Sequence, residues 1–374
     1  MTVLIFILIL SLLVVIHELG HFLVARKQGV KVQEFGFGYP PRLKKLFIWQ
    51  GAHFTLNAIP FGGFVKLEGE DVNPSENDAQ TANPKAFYAK SAWARTAIIF
   101  AGPLANILYA VLAFCIVFGI MGVPHFLNGR PRIETVAVNS PAEKAGLQAQ
   151  SEIIGFKLFG DLVLTETTKA VIEFVQQNQG QEVQIIFTDS CEGLVCSDTQ
   201  IENPIYLRSE AESPAGEGAI GVVFADFFLE KGSWHSQLIN GVWYGIRQSV
   251  ALGILIVGAV VDLFRDLLTA GTVPTGLTGP VGIVHQASSS KILTSGWAPL
   301  LEFSGILSIN LGIMNLLPIP ALDGGRILFI LLEKIVGKKR IQQIEGAAHY
   351  AGFLLLVGLI ILVSFRDIAQ IFQS

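Results

Sequence analysis

The sequence predicts a polytopic α-helical membrane protein with four transmembrane helices and one soluble insertion. Three observations predict it. Of the 374 residues 51% are apolar and only 15% are charged, against about 25% charged in soluble domains; the mean hydropathy is +0.53. Several apolar runs reach the roughly 20 residues that a bilayer requires of a helix. Basic residues gather in two loops, and acidic ones in a third. The formal net charge of −4 is mild and gives no reason to invoke a nucleic-acid partner.

The first run is residues 2–25. No Lys or Arg precedes it and no small-x-small site follows it, so it reads as a retained helix rather than a removable signal. The second is 94–121, the third 298–319 and the fourth 347–365. A fifth stretch, 241–264, has an apolar core of about thirteen residues, short for a span.

Loop charge sets the orientation. Residues 26–95 carry ten Lys and Arg, from Arg26 and Lys27 to Lys90 and Arg95. Residues 326–345 carry Arg326, Lys334, Lys338, Lys339 and Arg340, whereas 130–235 are rich in Asp and Glu. The positive-inside rule places the first two segments in the cytoplasm and the third outside. Four spans satisfy this, with both termini extracytoplasmic. A fifth would turn the 326–345 cluster outward. The stretch 241–264 is therefore expected to lie at, or dip into, the outer membrane face. The domain boundaries that follow are 1–121, 122–232, 233–296 and 297–374.

Cys115 sits in an apolar run and reads as a small core residue. Cys191 and Cys196 bracket "CEGLVC". They are either a local disulfide, if the segment faces an oxidising compartment, or two free thiols. Their spacing is not that of a zinc ribbon.

The first run contains "HELGH". His17 and His21 are four apart, so they share one helix face. Glu18 lies beside them. HExxH is the pattern of two zinc ligands and a general base acting on a water that the metal activates. Ionisable groups at bilayer depth cost about 2.5–3.5 kcal/mol each on insertion scales, and coordination removes much of that cost. A catalytic zinc takes three protein ligands. "NLLPIPALDGGRI" supplies a carboxylate, Asp323, just after the third run and at matching depth. On spacing alone Asp323 is equally a ligand or an N-cap for a helix over 326–336. Pro318 and Pro320 should break the third helix just before it. The stretch 53–66, "HFTLNAIPFGGFVK", has strand-like apolar residues, with Phe61, Gly62, Gly63 and Phe64 at its centre. It is either a structural hairpin or an edge that pairs with an extended substrate.

With these motifs in view, the chain resembles the site-2 protease family of intramembrane zinc metalloproteases, in its bacterial PDZ-containing branch. "HELGH" and "NLLPIPALDGG" match the family's two signatures, about three hundred residues apart and in the right order. "AGPLAN" at 101–106 matches its second membrane helix. "FGFGYPPRL" and "IPFGGFVKL" resemble its membrane-associated β-hairpin. The resemblance implies Asp323 as third zinc ligand and Asn315 as a residue that holds substrate. Asn310, Pro318 and Pro320 match the same signature. "NSPAEKAGL" and "TKAVIEFVQQNQGQEVQIIF" resemble the two helices of one extracytoplasmic α+β PDZ domain. Gln150-Ser151 and the "CEGLVC" insertion depart from that pattern, so a peptide ligand, a size filter and a plain spacer all stay open. The resemblance further implies single-pass transmembrane substrates, such as anti-sigma factors trimmed by a first cut or remnant signal peptides, in a bacterial inner membrane. Two rivals are an inactive membrane scaffold presenting the PDZ domain and a metal transporter. Intact HExxH and LDG oppose the first, and the few polar residues in the second and fourth runs oppose the second.

Overall fold

The computed structural model describes residues 2–70, 83–127, 129–189, 191–192, 195–197, 200–214, 217–230, 232–269, 279–289 and 292–373. The chain divides into two compact units. One is Met1–Ile120 with Leu238–Ser374, and the other is Met121–Gln237.

The first unit begins with α1 (Thr2–Lys27). A helix is the form in which an apolar segment satisfies its own backbone without water. Arg26 and Lys27 in its last turn complement the helix dipole. Strands β1 (Val32–Trp49) and β2 (Ala52–Leu67) follow. They turn at Gln50 and Gly51, both at positive φ, as a two-residue hairpin requires. Both strands bend back, so the ladder has more than two rungs of width. Residues 32–37 of β1 pair with 53–56 on one side and 63–67 on the other, while 42–49 pair with 52–57. The 63–67 segment is thus an outer edge. Phe22 of α1 packs edge-on against Phe35 and Phe54 and stacks on Trp49, which seats the sheet on the helix. Glu34 accepts from Thr55 and Arg42. Burial alone would raise its carboxyl; these donors outweigh that and hold it below the usual carboxylate range. Helix α2 (Ala92–Met121) contains Pro103.

The second unit is α+β. Its elements are β3 (Val123–Phe126), β4 (Ile133–Val136), α3 (Pro141–Lys144), β5 (Glu152–Leu158), β6 (Asp161–Leu164), α4 (Thr168–Gln177) and β7 (Glu182–Thr188). Then come β8 (Cys191–Glu192), β9 (Val195–Cys196), β10 (Gln200–Tyr206), β11 (Val222–Phe224) and β12 (Phe227–Glu230). An antiparallel sheet runs β10-β7-β5-β6, β11 pairs with β4, and β12 pairs with β3. Ser140 and Thr167 cap α3 and α4 by accepting from Glu143 and Ala170 backbone N–H groups. The core joins both helices to the sheet through Ile133, Phe156, Phe174, Ile185, Phe187 and Leu207. Cys191 and Cys196 are disulfide-bonded across β8–β9, the first of the two alternatives above.

The first unit resumes within α5 (Trp234–Thr269), then α6 (Pro280–Ser289), α7 (Trp297–Leu316), α8 (Asp323–Val336) and α9 (Lys338–Gln373). Five of the described helices are long and apolar enough to cross a membrane, α5 among them. The thirteen-residue apolar core at 249–261 therefore understates α5, because its polar flanks are helical too. Likewise α9 begins well before 347. The third run ends at Leu316 rather than 319: Leu317 is extended, and Pro318 and Pro320 lie in the irregular link to α8. Cys115 is not a core residue. It is half-buried where α2 meets α5, and its thiol faces the Val242 carbonyl.

Close contacts fix the relative directions of these helices. A Cβ at Gly305 would stand 3.2 Å from the Phe114 ring, and one at Gly312 would stand 2.9 Å from the Pro103 carbonyl oxygen, so α7 runs antiparallel to α2. At one end of the unit Ser288, late in α6, meets Thr2 of α1. At the start of α6, the amides of Gly279 just before it and Gly282 within it, 3.2 and 2.8 Å away, donate to the buried Asp367 near the end of α9. At the opposite end Arg95 of α2 and Glu333 of α8 form a buried, bidentate ion pair.

Candidate metal centre

Three helices assemble the site. His17 and His21 project from one face of α1 toward α2, where α1 lies unusually close. A Cβ at Gly20 would stand 2.2 Å from the Ala101 carbonyl oxygen, so only glycine permits this approach. A Cβ at Gly102 would stand 2.3 Å from His21 Nε2 and 2.8 Å from His17 Nε2, so the facing position on α2 is also glycine. The "AGPLAN" segment thus leaves room for both rings.

Asp323 is the first residue of α8 and makes no capping hydrogen bond; Leu322 is the N-cap. The cap alternative is therefore corrected, since the carboxylate points at the histidines instead. Asp323 Oδ2 lies 2.9 Å from His17 Nε2 and 3.5 Å from His21 Nε2. The two Nε2 atoms are 3.1 Å apart. Ligands of one tetrahedral zinc lie about 3.3 Å apart, so the cluster has the size of a single ion's coordination shell. Asp323 Oδ2 is buried and no hydrogen bond satisfies it, a costly arrangement unless a cation faces it. The residues fit a metal ion. The outer ring nitrogens are held as well: His21 Nδ1 lies 2.9 Å from the Ile98 carbonyl oxygen, and His17 Nδ1 lies 3.3 Å from the Asn106 amide.

Long-range contacts hold α8 and the link that precedes it. Arg326 of α8 pairs with Glu70, which follows β2. The Ala321 amide donates to His349 Nδ1 of α9 at 2.7 Å, fixing the link before Asp323. None of these partners was marked by a motif.

A cavity opens onto the cluster. His17, Glu18, His21 and Asp323 line it together with Gly63, Phe64 and Val65 of β2, Tyr39 of β1, Glu70 and Arg326. Val65 lines the cavity beside the Glu18 carboxylate. The outer edge of the sheet therefore faces the general-base candidate. Of the other residues singled out from the sequence, Gly62 packs on Val14 and Tyr39 beside the cavity. The side chain of Phe61 lies outside the described residues. Asn310 and Asn315 are half-buried on α7, and with Pro318 and Pro320 they are not among the residues lining the cavity.

A membrane-type helical fold that carries HExxH on one helix and a converging aspartate on another defines a metallopeptidase of the bilayer. The family comparison agrees: the profile of peptidase family M50 matches residues 5–359. The chain belongs to that family, the site-2 proteases. It is similar over nearly its whole length to curated bacterial proteins. The zinc metalloprotease RasP of Oceanobacillus iheyensis is 29% identical, over 99% of each chain. RasP of Geobacillus kaustophilus is 29% identical over 98% of this chain and 97% of its own. The regulator of sigma E protease of Haemophilus influenzae is 27% identical over 98% of each.

Proposed function

We propose that this protein is a zinc-dependent intramembrane endopeptidase that cuts the transmembrane segments of single-pass membrane proteins. The observation that carries the reading is the convergence of His17 Nε2, His21 Nε2 and Asp323 Oδ2 inside an apolar helix pair, with Glu18 in the same cavity. These three residues would hold the ion. When bound, zinc polarises the scissile carbonyl and makes water nucleophilic near neutral pH. Glu18 takes the proton of the attacking water and returns it to the leaving amine.

Substrate must arrive extended, because a helix shields its own peptide bonds. The 63–67 edge offers backbone partners directly beside Glu18, and β-addition there would draw an unwound segment across the cluster. Gly63 and Phe64 belong to this edge, and Phe61 and Gly62 lead into it. By resemblance Asn315 holds the substrate backbone, with Asn310, Pro318 and Pro320 shaping the broken helix end. Anti-sigma-factor-like proteins after a first cut, and remnant signal peptides, are the substrate classes.

The unit 121–237 is read as a PDZ domain in the periplasm, and the membrane is the bacterial inner one. Four crossings place both termini outside. Because α2 and α7 are antiparallel, the end of α2 and the start of α7 share a side. An even number of crossings in the chain between them supports the four-span reading.

The test compares wild type with Glu18→Gln in detergent or liposomes on a reporter transmembrane substrate. Wild type should bind one zinc and cleave within the apolar segment, and the variant should keep zinc and lose at least about 100-fold in rate. Equal cleavage by both, or no zinc in either, refutes the reading.

A further inference from the structure

Asn106 is wholly buried on α2. Its amide nitrogen lies 3.3 Å from His17 Nδ1, and its Oδ1 is buried without a hydrogen-bond partner. Its backbone is fixed independently, because Ser308 of α7 donates its hydroxyl to the Asn106 carbonyl at 2.9 Å. The side chain can therefore make a half turn about χ2 without moving the helix.

The two histidines differ in what stands behind them. His21 Nδ1 faces the Ile98 carbonyl, which only accepts. In a neutral ring the proton then sits on Nδ1, and Nε2 offers its lone pair to the cluster. His17 has no carbonyl behind it. If its Nε2 is to offer a lone pair beside Asp323, its Nδ1 must carry the proton and needs an acceptor. Oδ1 of Asn106, the orphaned atom of that same amide, is the acceptor within reach.

We propose that Asn106 is a positioning residue for the metal: its amide turns Oδ1 toward His17 and accepts the Nδ1 proton, fixing the tautomer that leaves Nε2 free to ligate. This rests on the zinc reading above. Ring tautomers interchange without net proton uptake, so the residue tunes affinity by orientation alone. Side-chain partners of this kind typically set metal affinity by about 10–100-fold. The role also gives "AGPLAN" its last letter: Gly102 makes space for both rings, and Asn106 holds one of them.

The experiment measures zinc affinity of the full-length protein by competition with a chromogenic chelator. Four proteins are compared: wild type, Asn106→Leu, Asn106→Asp and His17→Ala. Asn106→Leu should bind zinc about 10–100-fold more weakly. Asn106→Asp, which keeps an acceptor, should recover most of that loss. Wild-type affinity in Asn106→Leu, or equal weakness in the Leu and Asp variants, overturns the proposal. His17→Ala separates the two levels, since unchanged zinc binding there means that the metal centre itself has been misread. Nitrogen-15 spectra of histidine-labelled, zinc-loaded wild type give a second reading that needs no Asn106 variant. His17 Nδ1 should appear as a protonated, pyrrole-type nitrogen, and an unprotonated Nδ1 would sink the idea.

Discussion

At the scale of single residues, the centre depends as much on absent side chains as on present ones. Gly20 and Gly102 create the space in which the rings of His17 and His21 meet Asp323. Gly102→Ala is a small change in volume, yet its Cβ would collide with both Nε2 atoms. We expect it to fold and insert normally while losing stoichiometric zinc, measured by metal analysis of the purified protein; a full complement of zinc would show that the rings can retreat. The facing histidine pair was legible in the sequence, because i, i+4 spacing on a helix is a local rule. Asp323 was legible only as a carboxylate near the right depth, and spacing left it undecided between ligand and cap. The Ile98 carbonyl, Asn106 and His349 were illegible, because nothing in one helix states which face of another it will meet.

At the scale of elements, α8 is pinned near both ends. Arg326 pairs with Glu70, and Glu333 pairs with Arg95. These anchors hold the helix that carries Asp323 at its first position. Breaking a buried pair from one side leaves an uncompensated charge and typically costs about 3–5 kcal/mol. Arg95→Leu should therefore lower the thermal midpoint sharply, and Arg95→Leu with Glu333→Leu should recover most of the loss. A double variant as unstable as the single one would show that packing rather than charge is at stake. The sheet gives a second prediction. Val65→Pro removes a backbone N–H and blunts the 63–67 edge beside Glu18. Cleavage should fall at least about tenfold with zinc content unchanged; wild-type turnover would exclude this edge from substrate docking. The strand-like character of 53–66 was readable, but the fold-back that makes 63–67 an edge beside α1 was not. It depends on β1 pairing on both sides, which a period of two cannot encode. The extent of α5 was misjudged because hydropathy detects only its apolar centre, and helix propensity continues into polar flanks.

At the scale of the molecule, contacts cluster at two opposite ends of the membrane unit. Arg26, Arg95, Glu333 and the start of α9 gather at one end, while Thr2, the end of α2 and the end of α9 gather at the other. The proposed topology, drawn from loop charge, puts the first end in the cytoplasm. A reporter fused after residue 340 should accordingly be cytoplasmic in cells, and an extracytoplasmic signal would restore a fifth crossing. The overall class was legible from composition and loop charge, both of which are global properties. The two helices of the inserted unit were legible through the resemblance of residues 139–147 and 168–187 to known segments, whereas their caps at Ser140 and Thr167 were not read from the sequence.

The two halves of the proposed metal centre sit near opposite ends of the polypeptide, with about three hundred residues between His21 and Asp323. A ribosome adding roughly 5–20 residues per second takes about 15–60 s to cover that distance. For all of that time α1 is already made while its third ligand does not yet exist. On the proposed reading the site cannot be complete until nearly nine-tenths of the chain has been synthesised, so the order of the sequence sets the earliest moment at which cleavage could begin.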